Sequence, residues 1–160
     1  MIPGHLAEEN WISDNFRSFE QTAREATMLA HEAGFINAFV VENRRERYLG
    51  LLRSAAGRTK FVKRLAHFKE LDQRFATRVT NDRRDAQSLR DNLVARGAPA
   101  SCHVISELAA IDGQEIPLES ALRAVVGSGM GTIISCVPGQ LAYFEGEEPG
   151  ERYILERRHL

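Results

Sequence analysis

Apolar residues recur three and four positions apart early in the chain, which predicts an amphipathic helix from Ser13 to Ala33. Ser13 or Asp14 is expected to cap its start, and Gly34 is expected to end it. The stripe is mostly alanine, so a neighbouring helix can approach closely, and we interpret it as a packing surface. Its members are Phe16, Phe19, Ala23, Ala26, Ala30 and Ala33.

Three or four more helices are expected before residue 98. The second is predicted over Val41–Ala56, bent or broken by Gly57, and the third over Thr59–Lys69. Residues 71–79 are expected to form a short helix and a loop. Thr80 or Asn81 is expected to open another helix, which ends at Gly97, Ala98 and Pro99 because glycine favours the position just past a helix and proline cannot continue it.

The pattern changes to strands after Pro99. A helix beginning at Pro117 interrupts them, and Pro138-Gly139 marks a tight turn. We expect a β-α-β-β-β order, with one right-handed crossover followed by a meander. The predicted strands are 101–107, 132–137, 140–145 and 153–156.

These elements predict an α+β protein, in which an N-terminal helical part of four to five helices precedes a β-α-β-β-β sheet unit. The regions are 1–98, helical with a basic middle, and 99–160, rich in strands. The sequence leaves open whether they are two domains or one continuous domain.

Composition adds constraints on location. The 160-residue chain has no apolar run near the ~18 residues that span a membrane, and its start lacks a basic region followed by an apolar stretch. Cys102 and Cys136 form no disulfide framework and sit in apolar surroundings, which predicts buried free thiols in a reducing compartment. We therefore expect a cytoplasmic protein that does not contact membranes.

Charge is distributed unevenly along the chain. Residues 41–98 carry fifteen Lys and Arg against seven acids, a net charge of +8, although the whole chain has a net charge of −1. Eight of these basic residues fall within twenty-one positions and are predicted to contact an anionic partner, either nucleic acid or an acidic protein. They are Arg44, Arg45, Arg47, Arg53, Arg58, Lys60, Lys63 and Arg64.

Motifs that carry chemistry are weak. The glycine-rich stretch 127–131 follows a predicted helix and precedes a strand, the reverse of a phosphate-binding loop, so we interpret it as a connection. His67 and Glu70 share a helical face, but no second matched pair accompanies them. No metal site and no cofactor are expected, and the catalytic residues, if any exist, are unknown.

Three functional hypotheses follow. The first is a non-enzymatic binding or regulatory protein that uses the basic helical segment. The second is an enzyme with a site between the helices and the sheet, using Cys136 and His103, with Ser135 as a further candidate nucleophile. The third is an oligomerisation or protein-interaction module, forming a homodimer through the first helix.

Overall fold

Five helices and six strands make up the part of the chain that the computed structural model describes, residues 4–80 and 85–158, with side chains from residue 11 onward. The helices are α1 (Gly4–Phe39), α2 (Glu42–Leu51), α3 (Ala55–Arg64), α4 (Ala86–Ala95) and α5 (Leu118–Val125). The strands are β1 (Ala76–Arg78), β2 (Ser101–Ser106), β3 (Glu115–Pro117), β4 (Thr132–Val137), β5 (Leu141–Glu145) and β6 (Arg152–Glu156). The predicted α+β class is confirmed, with an N-terminal helical part ahead of the sheet.

All neighbouring strands of the single sheet are antiparallel, in the order β1-β6-β5-β4-β2-β3. The predicted crossover between strands 101–107 and 132–137 is wrong. A short strand that sequence reasoning missed, β3, folds back on β2 and reverses the chain before α5. Helix α5 therefore joins β3 to β4, and these two strands lie on either side of β2.

Helices cover both faces of the sheet. Successive side chains of a strand point to opposite faces, so Ile105 and Ile133 pack with α1, α2 and α3, while Val104 and Ile134 pack with α4 and α5. Two hydrophobic cores result. Strand β1, from the first region of the chain, pairs with β6, and α4 packs beside α5. The sheet and its helices thus connect residues on both sides of position 98.

Helix α1 is longer than predicted at both ends. It begins at Gly4 and continues through Gly34 to Phe39. Gly34 therefore does not end the helix. It lies where the turn between β4 and β5 packs closely against α1, since a Cβ at this position would be 3.1 Å from the backbone nitrogen of Gly139. The absence of a side chain lets that turn sit against the helix.

The predicted helix over Val41–Ala56 is wrong in its end, since α2 stops at Leu51 and α3 begins at Ala55. The Ser54 hydroxyl accepts a hydrogen bond from the backbone nitrogen of Gly57 at 3.0 Å and caps α3. A Cβ at Gly57 would overlap the backbone of Leu51, so glycine permits this tight turn.

Residues 71–79 form a 3-10 turn, Gln73–Phe75, followed by β1 rather than a helix and a loop. Helix α4 begins at Ala86, where the Asp85 carboxylate accepts from the Ser88 backbone nitrogen at 2.8 Å. The sequence predicts a start at Thr80 or Asn81, but Thr80 is not helical, and Asn81 falls outside the described residues. The predicted glycine stop is confirmed, with Gly97 at φ 103°.

Among the residues that the structure describes, none of the helices combines the length and apolar composition that crossing a bilayer requires.

Candidate functional site

Buried polar side chains join α1 to the sheet. His31 and Glu32 lie on the last turns of α1, and His103 of β2 lies directly opposite Ser135 of β4, so both strand residues point toward α1. Nδ1 of His31 is 2.7 Å from the Ser135 hydroxyl, and Nε2 of His103 is 2.7 Å from Glu32. All four side chains are buried. Two hydrogen-bonded pairs therefore lie side by side where the helix meets the sheet.

Arg58 of α3 holds the acidic end of this cluster. Its guanidinium donates to both carboxylate oxygens of Glu32, each at 2.9 Å, and to both oxygens of Asp112, at 2.7 and 3.0 Å. Asp112, in the β2–β3 turn, also accepts from the backbone nitrogen of Ser106. Paired contacts of this kind fix the position of a guanidinium, so Arg58 ties α1 and α3 to the sheet.

The cluster sets the protonation of His31 and Glu32 differently. Burial alone would raise the pKa of Glu32, but hydrogen bonds from His103 and Arg58 outweigh it and hold that pKa below its usual value. Burial lowers the pKa of His31, and the neighbouring His103 lowers it further against the opposing effects of Glu115 and Glu32. At neutral pH, Glu32 is therefore a carboxylate and His31 is a neutral imidazole.

The two imidazole rings are stacked, with centroids 5.5 Å apart and planes 24° from each other. Lone pairs of imidazole nitrogens lie in the ring plane, so stacked rings do not aim them at one point. No group of three or more His, Cys, Asp or Glu in the described ranges could hold a metal ion.

A cavity of about 770 Å³ opens beside the two histidines, between α1 and the β2–β3 hairpin. His31 and His103 form part of its wall, and charged residues of both signs surround them. We call this space the His31 cavity. The charged residues that line it are Arg17, Glu20, Arg24, Glu25 and Glu115.

The structure separates Cys136 from His103, so the expected site that combined them does not form. Ser135 pairs with His103 and shares its face, whereas Cys136, one residue on, points into the core beneath α4 and α5. Cys102 lies in the same core. Burial raises the pKa of Cys102 to about 12, with Glu115 adding to the effect, and burial also raises the pKa of Cys136. Both thiols are protonated at neutral pH and poor nucleophiles.

Three of the eight predicted partner-binding residues contact acidic groups of the chain itself. Arg44 pairs with Glu70 at 3.2 Å, and Arg58 is held by Glu32 and Asp112. Arg45 donates to the Val40 carbonyl at 2.9 Å and lies 3.9 Å from Asp72. These three side chains are thus engaged by groups of their own chain.

The other five basic side chains are exposed and make no ion pair with the acidic residues that the structure describes. They are Arg47, Arg53, Lys60, Lys63 and Arg64. The aromatic residues interleaved with them, Tyr48, Phe61 and Phe68, are buried against one another. These rings are part of the core and offer no stacking surface.

Helix α1 exposes an apolar stripe that we interpreted as packing. Phe16 and Phe19 are 62% and 72% exposed, and the alanines of the stripe from 23 to 30 are also exposed. Residues that line the His31 cavity or pack on the sheet, such as Arg24 and Phe35, lie on the opposite side of the helix. We define the exposed stripe as Ile12, Phe16, Phe19, Ala23, Ala26 and Ala30.

The predicted helix Ser13–Ala33 includes His31 and Glu32 near its end, but no local pattern indicated their partners. The contacts join residues 104 and 71 positions apart, and a separation of that size leaves no local pattern. One signal was present: His31, Phe35 and Phe39 are spaced by four, so they share a face that continues into the core.

Comparison with protein-family models, with curated proteins and with solved structures finds no match for this chain.

Proposed function

We propose that this protein is an interaction module that assembles into a homodimer through the exposed stripe of α1. The observation that carries the proposal is a long helix whose apolar side chains face away from the sheet that anchors it. Contiguous apolar surface of this kind marks interaction sites in soluble domains.

None of the residues that the structure describes buries the part of α1 from 11 to 27. Residues 11–27 are all exposed, and an isolated helix of such length is marginal in water because its stability comes mainly from packing. Phe16 and Phe19 together expose roughly 250 Å² of aromatic surface per chain. Ile12, the alanines and the flanking stems add to this area, along a seam about 27 Å long between residues 12 and 30. A stable interface buries about 800 Å² per partner. The area buried along the α1 seam must be of this order for the dimer to be stable.

The spacing of the stripe favours a second copy of the same helix. Its members follow each other at intervals of 4, 3, 4, 3 and 4, the repeat of a coiled-coil seam. In an antiparallel pair with its two-fold axis at position 21, Ile12 faces Ala30, Phe16 faces Ala26 and Phe19 faces Ala23 of the other copy. Each layer then joins a large side chain to a small one, the arrangement that fills space between packed helices.

Charge is compatible with this self-association. Of the six positions that flank the stripe, only one carries a charge, Glu20, so few like charges meet across the seam. The flanking positions are Ser13, Asn15, Glu20, Thr22, Thr27 and Leu29. An antiparallel pair also directs the two sheets to opposite ends of the seam.

Light scattering of the double variant Phe16→Ser/Phe19→Ser tests the dimer. We expect the wild type to be a dimer at micromolar concentration and the variant to be a monomer, since the largest apolar contacts are removed. The variant Gln21→Ser/Arg24→Ser, on the other side of α1, is the control and should remain a dimer. A chain lacking residues 1–27 keeps every core residue of α1 and should be a folded monomer. A monomeric wild type would refute the proposal.

An exchange of side chains tests the antiparallel register. Ala23→Phe alone should weaken the dimer, because it sets a second phenylalanine against Phe19 of the other copy. Adding Phe19→Ala restores one large and one small residue in that layer and should recover much of the affinity. Failure of the second change to recover affinity would contradict the antiparallel arrangement.

A second candidate function rests on the five exposed basic residues from Arg47 to Arg64. They support binding of the segment to a polyanion, nucleic acid or an acidic protein, in a regulatory role. Fluorescence anisotropy with mixed-sequence RNA should detect binding that falls steeply as salt rises. Replacing Arg47, Lys60 and Lys63 with Gln should weaken it, whereas Arg123→Gln, an exposed residue of α5, is the control. Equal binding by both variants would remove this candidate.

For location, the two free buried thiols support a reducing compartment. The cytoplasm is our proposal.

A further inference from the structure

The His31 cavity carries a feature that dimerisation through α1 does not use. Nδ1 of His31 is directed at the Ser135 hydroxyl, so the opposite edge of the ring, with Nε2, is left for the cavity that His31 lines. A buried imidazole with one edge anchored and the other facing an open space resembles the way active sites present a base or a nucleophile.

We propose that the His31 cavity is a separate functional site, which binds a small neutral ester or similar acyl compound and presents Nε2 of His31 to its carbonyl carbon. This inference goes beyond the proposed homodimer and does not depend on it.

The surroundings of His31 suit this role. The Ser135 hydroxyl fixes the ring from below, and the stacked His103 ring fixes its plane at 5.5 Å. His103 is itself held by Glu32, which Arg58 clamps. His31 is thus positioned by groups on β2, β4, α1 and α3, and positioning of this kind is what catalysis at a rigid site requires.

The size and charge of the cavity fit a small neutral compound. Its volume of about 770 Å³ lies within the range of roughly 300–1,000 Å³ that is usual for ligand sites. Two arginines and three glutamates surround it, so neither sign dominates and a neutral acyl compound meets no strong repulsion.

The reaction balances without any further group. In the tautomer that carries its proton on Nδ1, His31 donates to the Ser135 hydroxyl and keeps its lone pair on Nε2. This lone pair forms a bond to the ester carbonyl carbon, and the bond from that carbon to the leaving oxygen breaks, which releases an alkoxide or phenolate and leaves an acyl-imidazolium. Water then adds to the acyl carbon, the carbon–nitrogen bond breaks, and a carboxylate and two protons are released, one of which an alkoxide takes up to become the alcohol. The imidazole returns to its neutral form.

Hydrolysis of p-nitrophenyl acetate tests the proposal, with release of p-nitrophenolate as the readout. His31→Asn places an amide near the position of Nδ1, which preserves the contact with Ser135 and removes Nε2. We expect it to lower the rate about tenfold or more, while His67→Asn, which removes an exposed imidazole, leaves most of the rate. Mass spectrometry after a short reaction should locate the acetyl group on His31.

The pH profile separates this role from a structural one. Only neutral His31 attacks, and its pKa is lowered by burial and by His103 of β2, while Glu115 of β3 and Glu32 of α1 act in the opposite direction. The rate should rise through a pKa below 6.5 and then level off. Gln114→Trp, at the cavity wall, should also lower the rate with His31 intact and provides a second test if His31→Asn fails to fold. A rate unchanged in both variants would overturn the proposal.

Discussion

Gly131, at the start of β4, lies in a contact too close for any side chain. A Cβ at this position would overlap the backbone of Leu65 and Ala66, in the 3-10 turn Leu65–His67 after α3. Because the obstruction is backbone rather than the end of a flexible side chain, neither partner can move aside cheaply. The glycine-rich stretch 127–131, which we interpreted as a connection and not as a phosphate-binding loop, thus contains a residue required for packing.

Gly131→Ala should lower the free energy of unfolding by about 1–3 kcal/mol or more, the usual cost of overpacking. Urea denaturation followed by circular dichroism measures it. The control is Gly50→Ala in α2, where a Cβ meets nothing within 4 Å. That change should be neutral or stabilise by up to about 1 kcal/mol, because alanine favours helix. Equal effects of the two substitutions would contradict the close contact at Gly131.

At the scale of elements, α1 divides into two parts with different environments. Residues 31–39 pack on the sheet through His31, Glu32 and the aromatic residues that follow, whereas residues 11–27 are exposed throughout. One continuous helix therefore joins a core element to a free apolar stripe. If α1 ended near Gly34, as the sequence predicts, the first 35 residues would be a removable segment. Their removal would in fact delete Phe35 from the core and His31 and Glu32 from the polar junction with the sheet.

The junction of α1 with the sheet should make stability depend on pH. The folded pKa of His31 is below its unfolded value of about 6.5, so the unfolded chain binds a proton that the folded chain does not. Stability should therefore fall as pH drops below 6.5 toward the folded pKa. The folded pKa of Glu32 is also lowered, so its stabilisation should be lost only at more acidic pH, as pH falls through that pKa.

Urea denaturation between about pH 3 and pH 8 checks this dependence. His31→Asn should flatten the part of the curve just below pH 6.5 and leave the more acidic part, to which Glu32 contributes together with other carboxyl groups of lowered pKa, such as Asp72 and Glu156. His67→Asn, at an exposed histidine, is the control for the loss of an imidazole that does not take part in the junction. If His31→Asn retained the full slope in the less acidic part, the assignment of that slope to His31 would be wrong.

At the scale of the whole molecule, the sheet separates two chemical environments. One face carries polar residues that meet α1, namely His103 and Ser135, and the other buries the two cysteines beneath α4 and α5. Strand pairing decides this division, because successive residues of a regular strand point to opposite faces, as Ser135 and Cys136 do. Reading His103 and Cys136 as one site failed for this reason alone.

The basic segment 44–64 contains both arginines that pair with carboxylates of the chain and basic residues that are exposed to solvent. Its charge is plain in the sequence, but whether a given arginine faces solvent or a carboxylate depends on what folding brings near it. Arg58 meets Glu32 and Asp112, which lie 26 and 54 positions away, whereas Arg47 and Lys60 remain exposed. Local sequence offers no means of telling these residues apart.

Patterns within short stretches of the chain were enough to establish the α+β class, the strand 132–137, the strand 141–145 to within one residue, the glycine stop after α4 and the heptad spacing of α1. Periodicity and turn chemistry act over only a few residues, which is why the sequence carries these features. Folding in three dimensions was needed to establish that Gly34 continues a helix, that β3 turns back on β2, and that His31 meets Ser135. The tertiary structure was also needed to show that the α1 stripe is exposed to solvent. Such outcomes depend on contacts between distant residues, and those contacts leave no local pattern in the chain.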